Sequence, residues 1–238
     1  MESIPMELLG KLYPGFSMVQ PEYAVFTIDA IALYYKNEKP ANKNAVVVEC
    51  GVHRGGMSVL LARLFPDKKI YMCDSFEGFE PYGKSQFSHL KQADAIDQIY
   101  NHSERHRPGM IWNIKGEEVS SGISEEKVKE NLLNFGLVPE NHGLIFVPGF
   151  VGETLPELAK KEAKKIACLR IDVDAYAATY ECLHYLYDNV VEGGIIIFDD
   201  YTVGEAGDAI KRFVKDRKIS INPLPYAELG CYIVKSDS

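Results

Sequence analysis

Two apolar runs in this sequence each close on paired aspartates: Leu169-Arg170-Ile171-Asp172-Val173-Asp174 and Ile195-Ile196-Ile197-Phe198-Asp199-Asp200-Tyr201. Both read as buried strands. If the strands are neighbours, Asp172, Asp199 and Asp200 converge at one edge of the sheet, where carboxylates so close together repel unless they are protonated or something neutralises them. A hard, oxygen-ligated divalent cation is the simplest neutraliser, with magnesium the expected ion and manganese or calcium as alternatives. Capping of a following helix explains a single acid at a strand end, and Asp174, just ahead of Ala175 to Thr179, fits either a cap or the site. Capping does not explain two pairs.

A second constellation lies earlier in the chain. Val46-Val47-Val48-Glu49-Cys50-Gly51-Val52-His53-Arg54-Gly55-Gly56 is a strand, a tight turn and a helix start. Glycine permits the turn and the close approach of a ligand, and freed N–H groups at the helix start can face that ligand. Asp74, after the next strand, suits an acid that accepts hydrogen bonds from ribose hydroxyls. A dinucleotide fingerprint asks for a second glycine two positions after Gly51, and His53 stands there instead. Glu49 near the strand end repels a diphosphate and attracts a sulfonium. The pattern therefore favours S-adenosylmethionine over NAD.

The elements that must position these residues are those of an α/β fold, a doubly wound, mostly parallel seven-stranded sheet with helices on both faces. Strands are predicted at Ala45–Cys50, Lys69–Asp74, Gly143–Pro148, Ile166–Ile171 and Gly194–Phe198, with a closing, partly antiparallel pair near Ile219–Asn222 and Cys231–Val234. Helices are predicted over Met57–Phe65, Ser124–Phe135, Glu153–Lys165, Tyr176–Val190 and Glu205–Arg217. Residues 1–238 are read as one catalytic domain, with 1–40 as an N-terminal helical arm and 77–110 as a lid or insertion carrying a helix around Leu90–Tyr100. His89, His102 and His106 lie in that lid, whereas His184 falls among apolar residues and reads as structural.

Composition excludes several classes of function. A net charge of −8 and dispersed lysines argue against a nucleic-acid face, and Lys160, Lys161, Lys164 and Lys165 read as a solvated helix face. No segment has the roughly 18–20 consecutive apolar residues of a membrane span. Cys50, Cys73, Cys168, Cys182 and Cys231 lack metal or redox spacing and read as reduced core residues, which places the chain in the cytoplasm. The apolar stretch Met1–Tyr34, with Phe16, Tyr23, Phe26 and Ile28, can pack on a second subunit as a homodimer or on its own sheet.

Taken together, these pieces resemble the macrocin O-methyltransferase (TylF-type) family of class I methyltransferases. The resemblance rests on Ser17-Met18-Val19, Glu49-x-Gly51-Val52-x-Arg54-Gly55-Gly56, Asp74-Ser75-Phe76-Glu77-Gly78, Gly149-Phe150 with Thr154-Leu155-Pro156, Leu169-Arg170-x-Asp172-x-Asp174-x-Tyr176, and Gly193-Gly194 leading into Asp199-Asp200-Tyr201. It implies metal-dependent methylation of sugar hydroxyls, with Asp172, Asp199 and Asp200 on the metal and Glu49, Gly51 and Asp74 at the cofactor. Met18, Val52, Arg54, Gly55, Gly56, Ser58, Ser75 and Phe76 are expected to join the cofactor site. The small-molecule acceptor would place two adjacent hydroxyls on the metal and lose its proton to Asp172, Asp174 or a lid histidine such as His89. Tyr201 and Arg170 are candidates to orient the acceptor or the metal ligands, although Arg170 can equally pair with a neighbouring acid. His53 departs from the family's usual aromatic, and residues 79–113 match no family pattern. Two rival readings are an NAD-dependent sugar-modifying oxidoreductase and a non-catalytic interaction module on the same fold. The first would use a Tyr-x-x-x-Lys dyad, but Tyr176 is followed at that spacing by Tyr180; the intact acids oppose the second.

Overall fold

The computed structural model describes residues 6–13, 15–17, 21–37, 39, 42–78, 123–202, 204–219, 221, 224–226 and 230–235. Its frame is one seven-stranded sheet. The strands are β1 Val46–Cys50, β2 Ile70–Asp74, β3 Leu144–Pro148, β4 Ile166–Ile171, β5 Val190–Phe198, β6 Leu224–Tyr226 and β7 Gly230–Val234. Their spatial order is β3-β2-β1-β4-β5-β7-β6. The first five run parallel and β7 returns antiparallel beside β5. The strand order therefore reverses direction between β1 and β4, and an open α/β sheet leaves a crevice for ligands at such a point.

Burial on both faces explains why the strands read as continuous apolar runs. Along β1, Val47 packs into one core cluster, while Val46, Val48 and Cys50 pack into the other. Helices α1 Met6–Leu12, α2 Pro21–Asn37, α3 Gly56–Leu64 and α4 Glu125–Asn134 supply the first cluster. Helices α5 Val151–Lys161, α6 Tyr176–Leu186 and α7 Gly204–Arg217 supply the second. The α4 start follows its sequence signature, because the Ser124 hydroxyl accepts from the Lys127 N–H at 3.3 Å. All five cysteines are free and buried. Among the described residues no helix is long and apolar enough to cross a membrane.

Several boundaries depart from expectation, each for a physical reason. Among the described residues the penultimate strand is Leu224–Tyr226; of the expected Ile219–Asn222, Ile219 and Ile221 are not in a strand, and residues 220 and 222 lie outside the described residues. Leu224–Tyr226 occupies the sheet edge, where Pro225 can be accommodated because an outward N–H is not needed. Helix α5 starts at Val151 and stops at Lys161, short of Lys165, because the Ala163 N–H turns back to the Leu158 carbonyl. Helix α6 ends at Leu186 and tightens into a 3-10 turn, Tyr187–Asn189. The next residue, Val190, already pairs with Ile166 of β4, so β5 begins four residues before the expected Gly194. His184 is exposed on α6 and stacks on Tyr180, not enclosed among apolar neighbours as its sequence context suggested. Met18, His89, His102, His106, the Leu90–Tyr100 helix and nearly all of the 77–110 lid lie outside the described residues.

Candidate active site at the strand ends

The crevice is built on a close approach of two backbones. Gly51 leaves β1 with φ +90°, and a Cβ placed on it would lie 1.6 Å from the carbonyl oxygen of Asp172, at the end of β4. No side chain fits there. The Asp172 N–H donates to the Cys50 carbonyl, and the Gly51 N–H to the Cys73 carbonyl. The glycine turn is thereby clamped between the ends of β2 and β4.

Asp74 shapes that turn directly. Its Oδ2 accepts the N–H groups of Val52 at 2.8 Å and His53 at 3.0 Å, and its Oδ1 accepts the Phe76 N–H at 2.8 Å. Sequence reasoning gave this carboxylate to ribose hydroxyls; the structure shows that it first holds the protein's own backbone. His53 and Phe76 both take positive φ, at 50° and 56°, so the carboxylate offsets two strained residues. The Ser75 hydroxyl closes the next turn, donating to the Gly78 carbonyl at 2.5 Å.

Three further expectations change. The N–H groups at the start of α3 do not all face the crevice, since Gly56 donates to the Phe16 carbonyl at 2.9 Å. Ser17 packs so tightly on that glycine that an added Cβ would meet its side chain at 2.5 Å. Arg54 likewise reaches away, donating to the Gly15 carbonyl at 3.3 Å. Glu49 and Ser58, both expected at the cofactor, are 0% exposed and bonded to each other, Ser58 Oγ donating to Glu49 Oε2 at 2.5 Å. Both side chains are enclosed, and Glu49 meets Ser58 and Arg170. Burial, opposed by Arg170 and Ser58, pushes the Glu49 carboxyl up to about 7.

The acids do meet. Ile171 pairs with Phe198 in the β4–β5 ladder, so Asp172 and Asp199 emerge side by side. A carboxylate oxygen from each of Asp172, Asp174 and Asp200 lies within 4.8 Å of the other two. Asp174, with φ 55°, does not cap α6; the N-cap there is Ala175, which offers no side-chain bond. Asp199 was expected in the cluster, but its Oδ1 is turned to Arg170 Nη2 at 3.0 Å. Burial and the neighbouring Asp172 hold the Asp199 carboxyl up at about 7 and raise that of Asp200 as well. A small depression beside the cluster is lined by Ile171, Asp172, Phe198, Asp200 and Ile210.

Arg170 takes the alternative role open to it in the sequence, pairing with neighbouring acids, and so relieves part of the repulsion. Only 1% exposed, it contacts Glu49, Asp172 and Asp199. One guanidinium cannot balance those three carboxylates together with Asp174 and Asp200. Burial meets part of the remaining repulsion by raising the Glu49, Asp199 and Asp200 carboxyls toward protonation; the donors left at the strand ends are all oxygens, and the residues fit a hard divalent cation that would hold them ionised instead. The sequence carries a signal for this arginine: a lone charge inside the apolar β4 run, in register with the lone charge Glu49 of β1. Glu205 gave no such signal. Its carboxylate reaches from α7 to accept the Tyr176 N–H at 3.3 Å, tying the two acid-bearing connections together.

A glycine turn at the β1–β4 switch point, an acid after β2 and this strand order define a class I methyltransferase fold. Solved structures agree on that fold. The O-methyltransferase NovP superposes with a TM-score of 0.75 at 24% identity, covering 99% of this chain and 90% of NovP. The calicheamicin methyltransferase CalS11 does so with a TM-score of 0.63 at 18% identity, over 100% of this chain and 95% of CalS11. The model of the macrocin-O-methyltransferase (TylF) family matches residues 41–232, and the chain belongs to that family. Demethyldecarbamoylnovobiocin O-methyltransferase of Streptomyces niveus is 29% identical over 160 residues, covering 65% of this chain and 52% of the relative. Mycinamicin III 3''-O-methyltransferase of Micromonospora griseorubida is 28% identical over 191 residues, covering 78% of this chain and 66% of the relative. The matched span is thus under two thirds of the length of each of these relatives.

Proposed function

We propose that this chain transfers the methyl group of S-adenosylmethionine to a hydroxyl of a sugar or sugar-bearing small molecule, with a divalent cation, magnesium in the first instance, at the acids. The observation that carries the reading is the contact between Gly51 and the Asp172 backbone, which sets the cofactor turn against the carboxylate cluster. A relative from Streptomyces olivaceus whose name describes O-methylation of a rhamnosyl-bearing tetracenomycin supports the acceptor class. The five free, buried cysteines are in keeping with work in the reducing cytoplasm.

In the reaction the acceptor oxygen attacks the methyl carbon in line with the sulfonium. A carbon–oxygen bond forms, the carbon–sulfur bond breaks, and S-adenosylhomocysteine leaves. Asp74 holds the turn that receives the cofactor, and the surplus of carboxylates favours a cationic sulfonium over a diphosphate. Asp172 or Asp174 takes the hydroxyl proton, and His89 of the lid segment is the third candidate from the sequence. Asp172, Asp174 and Asp200 would hold the cation, with Asp199 drawn aside by Arg170. When bound, the cation supplies positive charge that lowers the pKa of the acceptor hydroxyls and fixes their position.

The test combines calorimetry with a transfer assay. S-adenosylmethionine should give a saturable heat where NADH gives none. Labelled methyl should then enter glycosylated acceptors when magnesium is present and fail to do so with a chelator. Heat from NADH alone, or labelling indifferent to the chelator, would overturn the donor and the metal assignments respectively.

A further inference from the structure

Arg170 sits at the centre of the sheet with its two terminal nitrogens turned to different halves of the site. Nη1 donates toward β1 and its turn, to Glu49 Oε1 at 3.3 Å and to the Gly51 carbonyl at 3.4 Å. Nη2 donates toward the acids, to Asp172 Oδ2 at 2.6 Å and to Asp199 Oδ1 at 3.0 Å. The guanidinium is planar and rigid, and its nitrogens cannot move independently. Register enforces the placement, because Glu49, Arg170 and Ile197 lie abreast on β1, β4 and β5. At 1% exposure the side chain has no solvent into which to relax.

We infer that Arg170 is a positioning residue that mechanically couples the cofactor turn to the carboxylate cluster, so that a divalent cation on the acids tightens adenosyl-ligand binding at Gly51. The inference rests on the proposed methyl-donor reading. A cation that fixes Asp172 also fixes the Nη2 side of the guanidinium. The Nη1 side then holds the Gly51 carbonyl in one place, and less ordering is left for the nucleoside ligand to impose. A lysine at this position keeps the charge but offers a single compact head that cannot span both sides. The device is distinct from simple charge balance, which any cation at this point would supply.

The probe is S-adenosylhomocysteine, whose sulfur is uncharged, so that direct repulsion from the metal is reduced. Its Kd is measured by calorimetry with magnesium chloride and with a chelator, for the wild type, Arg170→Lys and Glu49→Gln. Magnesium should tighten the wild type by at least about 5-fold, the lower end of coupling between linked sites. In Arg170→Lys the ratio should fall below about 2-fold, under the range typical of coupled sites. Glu49→Gln weakens the Nη1 side while keeping the side chain's shape, and it decides the matter if the lysine variant does not fold; its ratio should fall in the same way. A merely structural role would lower melting temperature and leave the ratio unchanged. A wild-type ratio of one, or a folded variant with the full wild-type ratio, overturns the coupling while leaving the methyl-donor reading intact. Absence of S-adenosylhomocysteine binding to the wild type removes that reading and the coupling together.

Discussion

Replacing Gly51 with alanine tests the contact on which the site is built. The new Cβ would stand 1.6 Å from the Asp172 carbonyl oxygen, at a backbone φ of +90°. Ordinary carbon contacts lie at roughly 3.5–4.0 Å, so the turn or the end of β4 must move by well over 1 Å. β4 is hydrogen-bonded to β1 on one side and β5 on the other, and cannot shift without disturbing both ladders. Backbone strain at positive φ costs about 1–3 kcal/mol, and forced overpacking a further ~1–3 kcal/mol. Near the middle of that range, about 4 kcal/mol, a chain of this size should lose roughly 8–16 °C in Tm. Gly136→Ala is the control, because Gly136 has φ +71° and nothing within 4 Å of its added Cβ. It carries only the left-handed penalty of about 1–2 kcal/mol, a loss of roughly 2–8 °C. Both variants are melted by circular dichroism in chelator and titrated with S-adenosylhomocysteine. Gly136→Ala should bind as the wild type does, and Gly51→Ala should not. If the two melt within about 2 °C of each other and bind equally, the close approach of the turn to β4 is not what shapes the site.

Three other perturbations follow from the same geometry. Ser124→Ala removes the hydroxyl that caps α4, and should cost about 1 kcal/mol, or roughly 2–4 °C, without changing cofactor affinity; an unchanged melting curve would show that the cap contributes nothing. Asp200→Asn relieves carboxylate crowding and removes one of the three proposed cation ligands, so the metal-free protein should melt higher while magnesium affinity by calorimetry falls at least ~10-fold. Lower stability with unchanged magnesium affinity would refute the cluster. Glu49 concerns pH: its carboxyl sits at about 7 in the folded chain against an ordinary 4.5, because burial outweighs Arg170 and Ser58. The folded state therefore holds that proton more tightly than the unfolded state. The resulting stability is complete below about 4.5 and is lost as pH rises through about 7. Glu49→Gln should flatten the decline in urea-unfolding free energy over that window in chelator; an unaltered slope would mean that Glu49 stays ionised.

The sheet was legible because its strands are short, β-branched and buried on both faces, a pattern that few other arrangements satisfy. The convergence of the acids followed from two runs of the same kind, each ending in paired aspartates, once β4 and β5 were neighbours. What sequence could not show is how each charge is spent. Glu49 and Asp74 look alike in sequence, one acid near each strand end, yet one is enclosed against Ser58 and Arg170 and the other accepts three backbone N–H groups. Side-chain direction along a strand alternates every residue, so Arg170 and Asp172 share a face while the exposed fraction of each depends on what the next element covers. The N-terminal arm is such an element: Phe16 and Ser17 close over Gly56, a long-range contact with no local signature. Strand ends were misplaced for a related reason, since the edge position of β6, not its composition, is what admits Pro225.

Charge at this site is organised from the inside outward. Arg170 neutralises the carboxylates nearest the sheet and leaves Asp174 and Asp200 at the outer end of the cluster, where Asp172 is the member of both groups. A buried arginine with only part of its acids balanced would destabilise the fold if the remainder faced hydrocarbon, but these acids lie at the strand ends, where a ligand can reach them. The fold thus gathers more carboxyl groups than Arg170 can pair where β1 and β4 part, and on the proposed reading it is this excess that a sulfonium and a divalent cation would share.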